Sequence, residues 1–299
     1  MKIAVIGGGA IGLLVSAYLA DHAQVTLYTR RKEQADQVRE HGITLKRKKN
    51  VKKVKVDAKV LRLDEAFVHY ELIVVAVKQY SIKDIIPYLM KAPKHTSVLF
   101  LQNGMSHVTL AKRLPQRTIY LGVVEHGAMK ETDDVVTHSG VGITRVALFK
   151  GGDLISFQRF HSDVFAFMQE NDWYEMLIQK LVVNAVINPL TALYRVNNGE
   201  IIHNSYFYKT AKAVFNELHA VLRLKDPTAY WNRVVDVCEK TAQNHSSMRK
   251  DLQQQRKTEV ESILGYILEE AAKRQINTPI IHFVYHGILG LEDSESEGR

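Results

Sequence analysis

One cysteine, Cys238, in 299 residues excludes a disulfide framework and a zinc site built on several thiolates. It also fits a reducing compartment. Six prolines and 17 glycines are too few for a collagen-like or low-complexity chain. No uninterrupted apolar run approaches the roughly 18 residues of a membrane span. The strongest, Leu72 to Val77, is strand-sized. The apolar start of the chain carries three consecutive glycines and then Asp21, which argues against a signal peptide and for a cytoplasmic address. No Gly-x-Ser-x-Gly elbow is present. The 13 histidines are scattered, and His138 near Asp133 and Asp134 makes no ligand pattern, so no metal is expected.

What is present is an ordinary globular mixture, 46% hydrophobic and 24% charged, at a length that favours two domains. Most of the net charge of +8 sits in Lys46, Arg47, Lys48, Lys49, Lys52, Lys53 and Lys55, a stretch without one acid. Val51, Val54 and Val56 interleave with these cations, the pattern of an exposed hairpin or edge strand guarded by lysines. A nucleic-acid surface would spread its charge over a folded face and add a binding module. Neither nucleic acid nor a membrane is an expected partner.

The first half alternates strand and helix signals. Lys2 to Ile6, Gln24 to Tyr28, Leu72 to Val77, Thr96 to Leu101 and Thr118 to Val124 read as strands. Leu13 to Ala20, Arg31 to His41 and Ser81 to Met90 read as helices. Such alternation predicts an α/β domain with a doubly wound, mostly parallel sheet. Residues 133–149 read as antiparallel strands broken at Ser139-Gly140, and Phe157 to Gln169 as a helix. Beyond about residue 175 the pattern is helical: Leu177 to Ile187, ended or bent at Asn188-Pro189, then 205–223, 227–244, 251–274 and 279–290. The expected division is residues 1–172 and an all-α 173–299.

Gly7-Gly8-Gly9-Ala10-Ile11-Gly12 follows the first strand and opens the first helix. In that context Gly7 permits the turn, Gly9 admits a pyrophosphate and Gly12 lets helix pack on strand, with free N–H groups facing the phosphates. At the end of the second strand a carboxylate would accept from a ribose 2′-hydroxyl. The chain has Thr29-Arg30-Arg31-Lys32 there instead. A guanidinium suits a 2′-phosphate, so NADP(H) is favoured over NAD(H), with Arg30 ahead of Arg31 as ligand. Lys78 and Asn103 follow two further strands and fall at the ligand edge of such a sheet. Asn103-Gly104 is equally a common turn pair.

Lys180, Asn184 and Asn188 lie at i, i+4 and i+8 on a helix otherwise built of Leu181, Val182, Val183, Ala185, Val186 and Ile187. Such a polar stripe lines a cleft or faces solvent. In a cleft the ammonium can protonate a carbonyl oxygen, and the carboxamides can hold a carboxylate or hydroxyls. By spacing alone, Ser246, Ser247 and Glu259 read as a helix cap and surface charge.

These blocks, with Val77-Lys78, Gln102-Asn103-Gly104-Met105, Asn188-Pro189-Leu190-Thr191-Ala192, Asn198-Gly199-Glu200 and Ser246-Ser247-Met248 through Asp251, Arg256, Thr258 and Glu259, resemble the ketopantoate reductase family over nearly the whole chain. The resemblance implies an N-terminal Rossmann domain, a helical C-terminal domain of 6-phosphogluconate dehydrogenase-like architecture and an active site in the cleft between them. It implies NADPH-dependent reduction of 2-dehydropantoate, a small 2-keto acid, to (R)-pantoate. By position it makes Lys180 the proton donor, with Glu259 a catalytic acid that orients substrate and touches the nicotinamide side. It assigns Asn184, Asn188, Asn198 and Ser247 to substrate and has Asn103 bridge substrate and cofactor. Ala128 becomes a cofactor contact beside the Gly7–Gly12 loop, and Arg30 and Lys78 fall at the 2′-phosphate. After Glu259 the chain departs from the usual Ile-Asp and Asn-Gly with Val260-Glu261 and Leu264-Gly265. A reductase of another 2-keto acid and a non-catalytic NADP-binding sensor are the alternative readings. The sequence leaves a homodimer open.

Overall fold

The structure is a computed structural model that describes residues 1–62, 64–65, 67–152 and 155–296. It divides into two compact units. Unit 1 comprises Met1–Gln102 and His107–Met176, and unit 2 comprises Asn103–Ser106 and Leu177–Arg299.

Unit 1 is built on a sheet of strands β1 (Lys2–Ile6), β2 (Gln24–Thr29), β5 (Asp57–Val60), β6 (Leu72–Val75), β7 (Ser97–Phe100), β8 (Ile119–Val124), β11 (Ile143–Lys150) and β12 (Ala166–Glu170). Their order is β12-β11-β8-β7-β6-β1-β2-β5, parallel at every pair except β11–β8. Every residue of β6 and β7 is buried, as expected of parallel strands covered on both faces. β1 pairs with β2 on one side and β6 on the other, so the order reverses at β1 and opens a crevice at its carboxyl end. Helices α1 (Ala10–Leu19), α2 (Lys32–His41), α3 (Ile82–Lys91) and α4 (Ser106–Ala111) connect the strands.

A second sheet of unit 1 has the order β4-β3-β10-β9, with β3 (Ile43–Arg47), β4 (Asn50–Val54), β9 (Gly127–Lys130) and β10 (Val135–Gly140). The lysine-rich segment is its β3–β4 hairpin, with β4 at the edge. Lys46 pairs with Glu131 and Lys52 with Asp21. α1 packs against both sheets.

Unit 2 is helical: most of α5 (Trp173–Tyr194), then α6 (Glu200–His203), α7 (Ser205–Leu222), α8 (Pro227–Lys240), α9 (Ser247–Gln253), α10 (Tyr266–Arg274) and α11 (Pro279–Ser296). The starts carry local signals. The Asn204 side chain caps α7, and Asp226 caps α8 directly before Pro227.

Three expectations fail in detail and a fourth is narrowed. Residues 157–169 are not a helix. A short 3₁₀ turn at Phe157–Phe160 precedes β12, whose Phe167 packs with Phe157 and Phe160. Pairing with β11 overrides the helix-like spacing. The strands in 133–149 do not pair with each other, for β10 joins the second sheet and β11 the main one. Of the two readings at Asn188-Pro189, an end is excluded, since α5 runs on to Tyr194. An interior proline costs about 3 kcal/mol in an exposed helix. Here Ala185, Val186 and Leu190 are fully buried around it, and the Thr191 hydroxyl donates to the Ile187 and Asn188 carbonyls at 2.8 and 3.0 Å. Finally, 251–274 is not continuous. α9 stops before Gln255, whose φ is 51°, and a π-helical turn at Glu261–Gly265 leads into α10.

α5 is long and apolar enough on average to cross a membrane, with a mean hydropathy of 1.4, but 83% of that window is buried inside the protein.

Candidate active site

The loop after β1 requires its glycines. Gly7 has φ of 120°, and a Cβ there would lie 2.9 Å from the Ala76–Val77 backbone. A Cβ on Gly12 would lie 1.7 Å from the Gly7 carbonyl oxygen, which is how closely α1 approaches the strand end. Gly9 is different: a Cβ would meet nothing within 4 Å. Open space at that position, with no side-chain cap on α1, leaves the first N–H groups of a ten-residue helix facing a gap. A pyrophosphate fits this cradle. Ala10 and Ile11 form the first turn of α1.

The end of β2 carries two different arginines. Arg30 is exposed and makes no ion pair among the described residues. Arg31 pairs with Asp133, which also binds the Lys130 ammonium at 2.8 Å. Burial opposes ionisation of Asp133, but the hydrogen bonds from Lys130 and Arg31 outweigh it and hold the carboxyl below its ordinary pKa. Lys130 also reaches the Gly8 carbonyl at 3.2 Å, and Gln34 donates to Gly8 and Asp133 carbonyls at 2.8 and 2.9 Å. Gln34 fills the space a Gly8 side chain would need. Lys78 follows β6, half-buried, at the start of a 3₁₀ turn. The neighbouring Gln102 amide donates to the Val75 and Val77 carbonyls at 2.8 and 2.9 Å, fixing that strand end.

Ala128 lies in β9, opposite His138 of β10. Behind it Tyr18, His138 and His126 form a buried chain with contacts of 2.7 and 3.1 Å. Burial pushes His126 down to about 4, with help from His138. Burial lowers His138 as well, so both imidazoles favour the neutral form.

In unit 2 the polar stripe is real. Asn184 and Asn188 are 7% and 8% exposed, and Lys180 is half-buried one turn earlier. The other side chains from Leu181 to Leu190 are apolar and buried, so the stripe is the polar face of that stretch. Asn188 Nδ2 approaches the exposed Ser247 Oγ at 3.4 Å. Ser246 caps α9 by accepting from the Arg249 N–H at 3.1 Å, and its hydroxyl lies 2.7 Å from that of Thr191, tying α9 to α5. The buried Asn198 donates to Thr241 at 2.9 Å, while its Oδ1 is buried without a partner. Glu259 is 7% exposed and accepts from the Asn103 amide at 2.9 Å. Gly104, with φ of 79°, permits this approach, since a Cβ there would lie 2.2 Å from the Ser262 carbonyl oxygen.

The structure thus gathers Gly7 to Gly12, Arg30, Lys78 and Ala128 in unit 1, and Asn103, Lys180, Asn184, Asn188, Asn198, Ser247 and Glu259 in unit 2. Sequence reasoning missed Gln34, Lys130, Asp133, Thr191 and Thr241 as supports. Thr191 alone had a signal, its place one turn from Asn188. Lys130 and Asp133 are three positions apart, but their further partners, like those of Gln34 and Thr241, are met only through the fold.

A doubly wound sheet with a glycine cradle at its reversal point, joined to a helical unit with a lysine–asparagine stripe, defines a two-unit dinucleotide-fold oxidoreductase. Residues 3–151 match the family described as "Ketopantoate reductase PanE/ApbA", and residues 172–292 match "Ketopantoate reductase PanE/ApbA C terminal". The chain belongs to the ketopantoate reductase family. It is 39% identical to a 2-dehydropantoate 2-reductase of Bacillus subtilis, over 98% of both chains. It is 37% identical to a 2-dehydropantoate 2-reductase of Listeria innocua, over 98% of this chain and 97% of that one. A crystal structure of a probable 2-dehydropantoate 2-reductase from Bacillus subtilis superimposes with a TM-score of 0.89 at 36% identity, covering 97% of this chain and 100% of the other.

Proposed function

We propose that this protein reduces 2-dehydropantoate to (R)-pantoate with NADPH. The observation that carries the reading is the stripe on α5: Lys180, Asn184 and Asn188 on one face of a helix whose other side chains from Leu181 to Leu190 are apolar and buried. It stands in a chain similar from end to end to proteins named for that reaction.

NADPH, when bound, supplies the hydride that adds to C2 of the keto acid. The Gly7–Gly12 loop and the α1 N-terminus hold its pyrophosphate, and Arg30 and Lys78 hold its 2′-phosphate. Asn103, Ala128 and Glu259 serve the nicotinamide end. Lys180 gives a proton to the C2 oxygen as the carbonyl becomes an alcohol. Asn184, Asn188, Asn198 and Ser247 hold the substrate's carboxylate and hydroxyl. The unpartnered Asn198 Oδ1 is suited to accept from that hydroxyl. Glu259, which accepts a hydrogen bond from Asn103, serves as the acid that orients the substrate. A cytoplasmic location and a homodimer complete the reading; the exposed Tyr206 and Phe283 of unit 2 offer apolar surface for a second copy.

The test is NADPH oxidation by the purified protein with 2-dehydropantoate beside a panel of other 2-keto acids. A clear preference for 2-dehydropantoate is expected. Turnover with another keto acid alone would move the protein to a sibling activity, and tight NADPH binding without turnover would make it a sensor.

A further inference from the structure

The cation pair at Asp133 lies outside every role assigned so far. Lys130 ends β9, two residues from Ala128 and on the same face of that strand. Its ammonium has three donors. One reaches the Gly8 carbonyl at 3.2 Å and one the Asp133 carboxylate at 2.8 Å, and these are its only polar partners among the described residues. The side chain is 28% exposed, so it also faces outward. Asp133 holds Arg31 at the same time. Arg31 is the cap residue of α2, directly after Arg30, at the strand end where an adenosine ribose sits in this fold. One carboxylate therefore holds two cations against the dinucleotide loop, and with Arg30 the group has a net charge near +2. A surface ion pair would need no third anchor on the loop carbonyl. A solvated lysine would not be tied to a position between the glycine loop and the end of β2.

We propose that Lys130 is a specificity-determining residue for the cofactor's 2′-phosphate, acting with Arg30 from the opposite sheet, and that Asp133 is the counter-ion that positions Lys130 and Arg31 for it. The proposal rests on the NADPH reading above. A phosphomonoester dianion accepts the third Lys130 donor, while a ribose 2′-hydroxyl gains nothing from a second cation. Lys130 therefore discriminates between the two cofactors rather than raising affinity for both.

The experiment measures dissociation constants without turnover, by titration calorimetry, for NADPH, NADH and adenosine 2′,5′-bisphosphate. The proteins are wild type, Lys130→Met, Lys130→Gln and Lys130→Arg. Lys130→Met should weaken NADPH and the bisphosphate by about tenfold, as for loss of one charge-assisted bond, and NADH by less than about twofold. Lys130→Arg should recover most of the loss. Lys130→Gln keeps a donor to the Gly8 carbonyl without the charge and serves if the methionine variant does not fold. Equal weakening of NADPH and NADH, or a preference unchanged in both uncharged variants, overturns the inference alone. Wild-type protein that binds NADH as tightly as NADPH overturns the cofactor reading and the inference with it.

Discussion

Asn103 and Glu259, 156 positions apart, are joined by one hydrogen bond of 2.9 Å from the carboxamide to the carboxylate. The Gly104 backbone makes room for it by lying against Ser262. Asn103→Asp would place two carboxylates at that spacing, and like charges so close cannot both ionise cheaply. The variant should lose about 100-fold in kcat/KM at pH 7.5 and regain part of it toward pH 5, where one proton is shared. A pH–rate profile checks this. A profile parallel to wild type would remove Asn103 from the positioning of Glu259.

Lys180→Ala should bind NADPH as wild type does and lose turnover by about 100-fold or more, the scale of a missing general acid. Dissociation constants and single-turnover rates separate the two effects. Turnover near wild type would withdraw Lys180 as the proton donor.

Gly9 and Gly12 should separate cofactor binding from folding. Gly9→Ala adds a methyl into open space, so its melting temperature should match wild type while NADPH binding weakens by about tenfold or more. Gly12→Ala forces a Cβ to 1.7 Å from the Gly7 oxygen and should lower the melting temperature itself. Identical thermal shifts for the two variants would contradict the packing described.

Asn198→Ala removes the amide bound to Thr241 together with the free buried carbonyl oxygen. KM for the keto acid should rise by about tenfold, as for loss of a hydrogen bond to a buried polar group, with NADPH affinity unchanged. A rise in both would assign Asn198 to the fold instead.

His107 is fully buried, neither ring nitrogen has a partner, and burial pushes its pKa down to about 4. Its folded pKa is below the unfolded value, so the unfolded chain takes up the proton first. Stability is complete above about pH 6.5 and falls as pH drops toward 4, by on the order of 3 kcal/mol from this one group. His107→Phe should flatten that acid limb in urea denaturation measured from pH 7 to pH 4. An unchanged slope would show that other groups carry the transition.

The parts legible in the sequence were those whose cause is local. The Gly7 to Gly12 motif announces a tight turn into a helix because only glycine tolerates the contacts at Gly7 and Gly12. The stripe of Lys180, Asn184 and Asn188 is legible because the helical period alone puts the three on one face. Whether α5 stopped at Pro189 was not legible, because packing around the proline outweighs a local break. Nor was β12, because Ala166 to Glu170 becomes a strand only beside β11.

The sequence by itself determined the glycine cradle, the missing acid at the end of β2, the basic hairpin and the polar stripe of α5. Each of these depends on residues within a few positions of one another. The tertiary structure alone decided that Asp133 holds Arg31 and Lys130, that Gln34 fills the space beside Gly8, and that Asn103 orients Glu259. Apart from Lys130 and Asp133, which are three positions apart, those contacts join residues tens to more than a hundred positions apart. No spacing encodes them, because they exist only once the sheets and helices have buried their apolar faces and brought the polar remainder together.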